Sequence, residues 1–436
     1  MLYYKKILII IVICLFSATF LCGLIVDATN SNDNWSMFQH DLNHSGSSMN
    51  TSTATSSALL WNYTTKGVIW ASPTIVDGRV YITSDDENAY CLDAGTGNKI
   101  WNCTIESGRE KAIGSTIAFS NGYIYFGGYD RNIYCLNAET GVKMWNYTTG
   151  ATIESCPAVA GGYVYVGSWD GNMYCFNALT GDKIWNYSTG DLVESSPAIV
   201  NGYVYVGSTD HNIYCLNSLT GGKVWIYTTG GIVQSSPSVD NNRVFIGSED
   251  NNVYCLDASN GSLIWKYLTK GWVDSSPAVA NNKVFVGSLV LDSQQNYVAS
   301  DVYCIDESTG AKIWSYTTQG GVNSSPVIAG DYLYIGGWDN SFYCLNSSSG
   351  TQVWKYTTQG HINSSPAIAN GIVYVGSWDH TLYAFGTTSE QTSSFSFSSE
   401  IVVAIIVALI LVAIAILLLL RRKRKNKVLL TALSFI

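Results

Sequence analysis

Six residues occupy one recurring position, directly before a Ser-Ser-Pro or Ser-Cys-Pro triplet: Glu154, Glu194, Gln234, Asp274, Asn323 and Asn363. Three carboxylates and three amides gathered round one axis would offer oxygen ligands to a hard cation such as Ca²⁺. The same register earlier in the chain holds Trp70 and Ile113. Trp169, Trp338 and Trp378, with Tyr129, recur in a second turn and would stack on sugar or aromatic faces. Each precedes an aspartate, and that aspartate is itself repeated, as Asp86, Asp130, Asp170, Asp210, Asp250, Asp339 and Asp379. A residue present in nearly every repeat reads as a former of Asx turns. The variable residues carry more information, because the turn does not dictate them.

What must position these residues is a repeated unit, seen clearly from Trp185 to Trp225. Equivalent tryptophans stand at Trp61, Trp101, Trp145, Trp185, Trp225, Trp265, Trp314 and Trp354, most of them forty residues apart. A period near forty with several short β-rich runs predicts a propeller. Within the unit the expected strands are Ser195–Val200, Tyr203–Ser208, Ile213–Asn217 and Lys223–Thr228. Asn201-Gly202 supplies the positive φ values of a two-residue hairpin. Eight triplet openings match eight tryptophans, but Trp61 precedes every opening and the last repeat stops after its third strand. The early Leu59–Thr64 is therefore expected to complete the last blade, closing the ring and removing a free edge. The predicted fold is all-β: an eight-bladed propeller of four-stranded antiparallel blades, with one C-terminal transmembrane helix.

The segments Asp93-Ala-Gly-Thr-Gly-Asn-Lys-Ile-Trp101 and Asn177-Ala-Leu-Thr-Gly-Asp-Lys-Ile-Trp185, with their counterparts, resemble the tryptophan-docking repeat of the pyrroloquinoline-quinone-like (PQQ-like) β-propellers. The likeness runs from about residue 35 to 386. It implies that each repeat tryptophan packs across a blade interface, a structural task. Quinoprotein dehydrogenases share the repeat and the blade count, and from them the resemblance allows PQQ or Ca²⁺. Those enzymes typically carry adjacent cysteines beside the cofactor, and this sequence has no Cys-Cys pair. Their catalytic aspartate and calcium ligands map onto no residue here. A scaffold of the outer-membrane β-barrel assembly machinery shows the same fold acting without a cofactor.

The chain ends point to a membrane. Residues 1–28 read as a signal peptide or signal anchor, 29–57 as a polar lead-in, 58–386 as the propeller and 387–400 as a Ser/Thr-rich stalk. Residues 401–420 are twenty apolar residues, about the ~30 Å of a bilayer core. The basic run Arg421-Arg422-Lys423-Arg424-Lys425 then places the tail, 421–436, in the cytoplasm and the propeller outside. Setting aside Lys5, Lys6 and the six basic residues of the tail leaves 15 basic against 32 acidic residues, a formal charge of −17. Such a body disfavours nucleic acid as a partner.

Seven cysteines from Cys91 to Cys344 share one third-strand register and read as small buried apolar residues. Cys103 and Cys156 break that register and form the one pair to check for a disulfide. Asn62, Asn102, Asn146 and Asn186 head N-x-S/T sequons directly after the tryptophan, on the outermost strand, and are glycosylation candidates. The five histidines make no spaced metal motif, and no nucleophile elbow or phosphate loop occurs. The expected function is a membrane-anchored, extracytoplasmic, non-catalytic binding or assembly scaffold with a protein or glycan partner at the cell envelope, and no cofactor. The alternatives are a PQQ- or Ca²⁺-dependent dehydrogenase and a carbohydrate-binding adhesin.

Overall fold

The computed structural model describes residues 34–48, 55–105, 112–294, 296–386 and Arg421. The expected signal segment, stalk, span at 401–420 and the tail beyond Arg421 lie outside the described residues. Among the described residues no helix is long and apolar enough to cross a membrane.

Eight antiparallel four-stranded blades follow one another round a ring. Blade 4 is representative, with strands Ala198–Val200, Tyr203–Gly207, Asn212–Asn217 and Lys223–Thr228. Its hairpin has φ of 51° at Asn201 and 81° at Gly202, the left-handed pair that joins twisted strands tightly. The first strand is three residues shorter than its sequence pattern predicts, because Ser195, Ser196 and Pro197 serve another purpose. The Ser196 N–H donates to Ser236 Oγ of the next blade at 2.9 Å. Every blade repeats this contact. Ser72 donates to Thr116, Thr116 to the Cys156 thiol, Cys156 to Ser196, and so on through Ser236, Ser276, Ser325 and Ser365 back to Ser72. The triplet is thus a closed belt of main-chain to side-chain hydrogen bonds around the channel.

The outer circumference is locked by the tryptophans. Trp185 Nε1 donates to the Ser218 carbonyl of the following blade at 2.9 Å, and its ring lies on Gly221. That glycine has φ 68°, and a Cβ there would meet the indole at 2.7 Å. The Thr-Gly of the repeat therefore exists for the neighbour's tryptophan. Trp61, Trp101, Trp145, Trp225, Trp265 and Trp314 dock in the same way. Trp354 is buried and packs on Phe342 and Phe385.

Leu59–Thr64 pairs with Thr381–Phe385, with Trp61 opposite Ala384, so the first strand of the propeller completes the last blade. Residues 34–48 sweep across the inner strands. Trp35 pairs with Ile75, and the carbonyls of Ser36, Leu42, Asn43, Ser45 and Gly46 accept from blades 2, 4, 5, 6 and 7. Ser47–Ser48 adds a parallel strand to blade 7. These contacts are made to the first strands of the blades, just ahead of the first-to-second hairpins. The seven in-register cysteines are buried and free; Cys103 and Cys156 are free as well, and the pair forms no disulfide.

Candidate functional site

The end of the ring away from those hairpins is built from two loops per blade. The loop before each triplet gives Trp70, Gly114, Glu154, Glu194, Gln234, Asp274, Asn323 and Asn363, and the second-to-third turn adds Asp85, Tyr129, Trp169, Thr209, Glu249, Leu289, Trp338 and Trp378. Ile113 does not belong there. It is buried in the core at the register of Val193 and Val233, because blade 2 has Ser-Thr-Ile in place of the triplet and Gly114 holds the mouth position. Gly114 faces the Tyr129 hydroxyl, which a Cβ would approach to 3.2 Å. Asp85 and Glu249 were missed by sequence reasoning; their signal was the residue directly before the repeated turn aspartate.

The mouth has two unlike halves. Blades 7, 8 and 1 carry aromatic rings: Trp70 and Trp378 lie 4.3 Å apart, Trp378 and Trp338 6.2 Å, and His361 is stacked on Trp338 at 6.1 Å. Trp338 Nε1 donates to Asn363 Oδ1 at 3.0 Å, which fixes one of the six candidate residues. Trp70 Nε1 donates to Asp85 Oδ2 at 2.7 Å and joins the aromatic half to the acidic one. Blades 3 to 6 carry Glu154, Glu194, Glu249 and Asp274. Burial, then the charges of Glu154, Glu249 and Asp191, push the Glu194 carboxyl up to about 7. Burial, then Glu249 and Glu194, raise Asp274 to about 7. Burial also raises Glu154, although the Tyr129 hydroxyl hydrogen-bonds to it. Gln234 and Asn323 occupy the same register, half-buried, and the Trp169 ring lies 6.2 Å from that of Tyr129.

The repeated aspartates are committed elsewhere. Asp210 accepts from the Asn212 N–H at 3.0 Å, from the Gly190 N–H at 2.7 Å and from the Tyr214 hydroxyl. Each such aspartate ties a turn to the loop and strand around it, a structural use. The sequon asparagines are exposed at the rim, and their amides are hydrogen-bonded. Asn102, Asn146 and Asn186 donate to Asn88, Asn132 and Asn172, the residues that open each third strand. The sequon Thr104, Thr148 and Ser188 donate to those same asparagines. Asn62 lies opposite Tyr383 on the closing strand.

Crowded carboxyls with raised values make a stability prediction. Unfolded, Glu194 titrates near its ordinary 4.5; folded, it titrates near 7. The folded state therefore holds more protons across that window, and stability falls as pH rises from about 4.5 through 7. Glu194→Gln is expected to raise the melting temperature at pH 8 and to change it little at pH 5. Equal shifts at both values would show that Glu194 carries no such repulsion.

A hard cation needs several oxygens converging at bond length. Among the described residues no three His, Cys, Asp or Glu side chains converge in that way. The carboxylates of Glu194, Glu249 and Asp274 feel one another's charge across the mouth.

A family model described as outer membrane protein assembly factor BamB matches residues 48–113, 85–232, 209–301 and 298–392. No curated protein sequence matches the chain. Among solved structures, BamB from Moraxella catarrhalis is similar with a TM-score of 0.64 and 17% identity over 76% of this chain and 98% of that one. A europium-containing methanol dehydrogenase is similar with a TM-score of 0.70 and 14% identity, covering 84% of this chain and 100% of its own. The quinohemoprotein alcohol dehydrogenase from Comamonas testosteroni gives 0.69 and 15%, over 84% and 82%. At these identities the likeness is one of fold.

Proposed function

The chain belongs to the PQQ-like β-propeller repeat family whose model is described as outer membrane protein assembly factor BamB, and on that premise we propose that it is a non-catalytic binding and assembly scaffold. We place it outside the cytoplasmic membrane, anchored by residues 401–420, with a protein partner at the cell envelope. The observation that carries this reading is the mouth itself. It joins an aromatic wall to a set of mutually repelling carboxylates, which is a surface made for recognition. Among the described residues no three His, Cys, Asp or Glu side chains cluster as a metal site, which favours this reading over the dehydrogenase one. The dehydrogenase neighbours share the ring, and a shared ring does not transfer their chemistry.

Site-specific photo-crosslinking of the full chain in its host membrane tests the proposal. A photoreactive residue at Gln234, on the mouth, is expected to give a discrete protein adduct. One at Asn241, on the hairpin at the opposite end, is expected to give none. Adducts of the same size and yield from both positions, or none from the mouth, would overturn the scaffold reading.

A further inference from the structure

Four carboxylates of the mouth, Glu154, Glu194, Glu249 and Asp274, stand together with no lysine or arginine paired to them among the described residues. His211 lies near enough to Glu249 for a protonated imidazole to favour that residue's ionised form. Crowding of this kind costs stability unless something positive relieves it. Two further atoms point the same way. Asp274 Oδ1, an acceptor, and Trp378 Nε1, a donor, are both shut off from solvent without a hydrogen-bond partner. Buried polar atoms are ordinarily satisfied, so an unpaired acceptor in the acidic half of the mouth and an unpaired donor in the aromatic half ask for a ligand that supplies both.

The carbon skeleton of that ligand has its own wall. Trp338, Trp378 and Trp70 present a run of indole faces, and an indole face attracts a cation as well as an alkyl stem. Leu289, only 2% exposed, is bridged to Trp272 two residues before Asp274 and lies with Trp338 against Gly321. Residues 34–48 are bonded to the first strands of six blades, away from these side chains. A metal ion would bring no alkyl stem to lie along the indoles, and a neutral sugar, although its hydroxyls can donate to the carboxylates, would bring no positive charge to relieve their repulsion.

Resting on the scaffold reading above, we propose that this mouth binds an organic ammonium group on an alkyl stem. The N–H groups meet Asp274 and Glu194, the stem lies along Trp338 and Trp378, and a carbonyl or hydroxyl oxygen accepts from Trp378. A free amine and the lysine side chain of a partner protein share this chemistry.

The test is calorimetric titration of the full chain in detergent with three probes: Nα-acetyl-lysine methylamide, its uncharged analogue Nα-acetyl-norleucine methylamide, and 1-aminopentane. The capped lysine is expected to bind at least about tenfold more tightly than the capped norleucine, since charge-assisted hydrogen bonds are lost with the ammonium. Asp274→Asn and Glu194→Gln are each expected to weaken binding about tenfold. Trp378→Ala should weaken it by a comparable factor, and Asp240→Asn, at the opposite end, should leave it unchanged. Binding should strengthen as pH rises through about 7, because Glu194 and Asp274 then ionise against Glu154, Glu249 and Asp191 while the amine stays charged. A capped lysine tighter than 1-aminopentane identifies a partner's lysine as the source; the reverse order identifies a free amine. Equal binding of lysine and norleucine probes, or full binding by both acid variants, would overturn the proposal. If the crosslinked adduct persists while ammonium binding fails, the ligand chemistry falls and the scaffold stands.

Discussion

Trp185→Ala will destabilise the propeller by about 3–5 kcal/mol, the cost of emptying a large buried aromatic site. The side chain is 8% exposed, its N–H is held by the Ser218 carbonyl, and its ring covers Gly221 of the next blade. Removing it opens one of eight seams in a closed ring, and neighbouring blades cannot slide inward to refill it. Trp185→Phe keeps part of the packing and loses the hydrogen bond, so it should cost less than half as much. Gly221→Ala attacks the same seam from the other side, by forcing a Cβ into the indole at 2.7 Å and by straining a residue at φ 68°. Denaturant unfolding of the three variants checks the order. A Trp185→Ala protein within about 1 kcal/mol of the parent would mean that the seams are not where the ring is held.

Those seams are legible in the amino-acid sequence. The regular tryptophans, the Thr-Gly ahead of them and the opening triplets set blade number and strand order, because each is imposed by a contact that every blade must make. The early placement of Trp61 shows how the ring closes. Two features are not legible, for the same physical reason. The belt through Ser72, Ser196 and Ser276 joins residues in different repeats, and a proline-bearing triplet reads locally as no more than a strand start. The path of residues 34–48 is the other: the stretch reads as a lead-in to the ring, but its route does not show in the sequence, since its carbonyls are satisfied by six different blades. At the mouth, Glu154, Glu194 and Asp274 follow from register alone. Ile113 is misplaced by one residue where blade 2 loses its proline, and Asp85 and Glu249 are hidden beside conspicuous turn aspartates. A one-residue slip exchanges core for surface, so register errors are most costly at such degenerate repeats.

Replacing residues 59–64 by a flexible Gly-Ser stretch of equal length will have the other large effect. Blade 8 would be left with Thr381–Phe385 as an open edge, and Trp61 would no longer cover Gly97 or bond to the Ala94 carbonyl. The contact of Tyr63 with Tyr90, 5.7 Å between ring centres, would go as well. The loss should exceed that of any single tryptophan, more than about 5 kcal/mol, because a seam and a ladder disappear together. An exposed strand edge also recruits other chains. Size-exclusion chromatography with light scattering should therefore show more self-association than the parent protein does. A monomeric variant with unchanged melting would mean that the strand is ornamental to closure.

The acidic and aromatic halves of the mouth bear on the central claim, that this ring recognises a partner and does not turn over a quinone. Adding pyrroloquinoline quinone with Ca²⁺ to the full chain, and following tryptophan fluorescence together with reduction of an electron-accepting dye by alcohols, separates the two readings. Trp70, Trp338 and Trp378 stand at the mouth and would report a bound quinone directly. The account predicts no saturable quenching and no dye reduction. Saturable quenching accompanied by alcohol-dependent dye reduction would contradict it and make the mouth a dehydrogenase site.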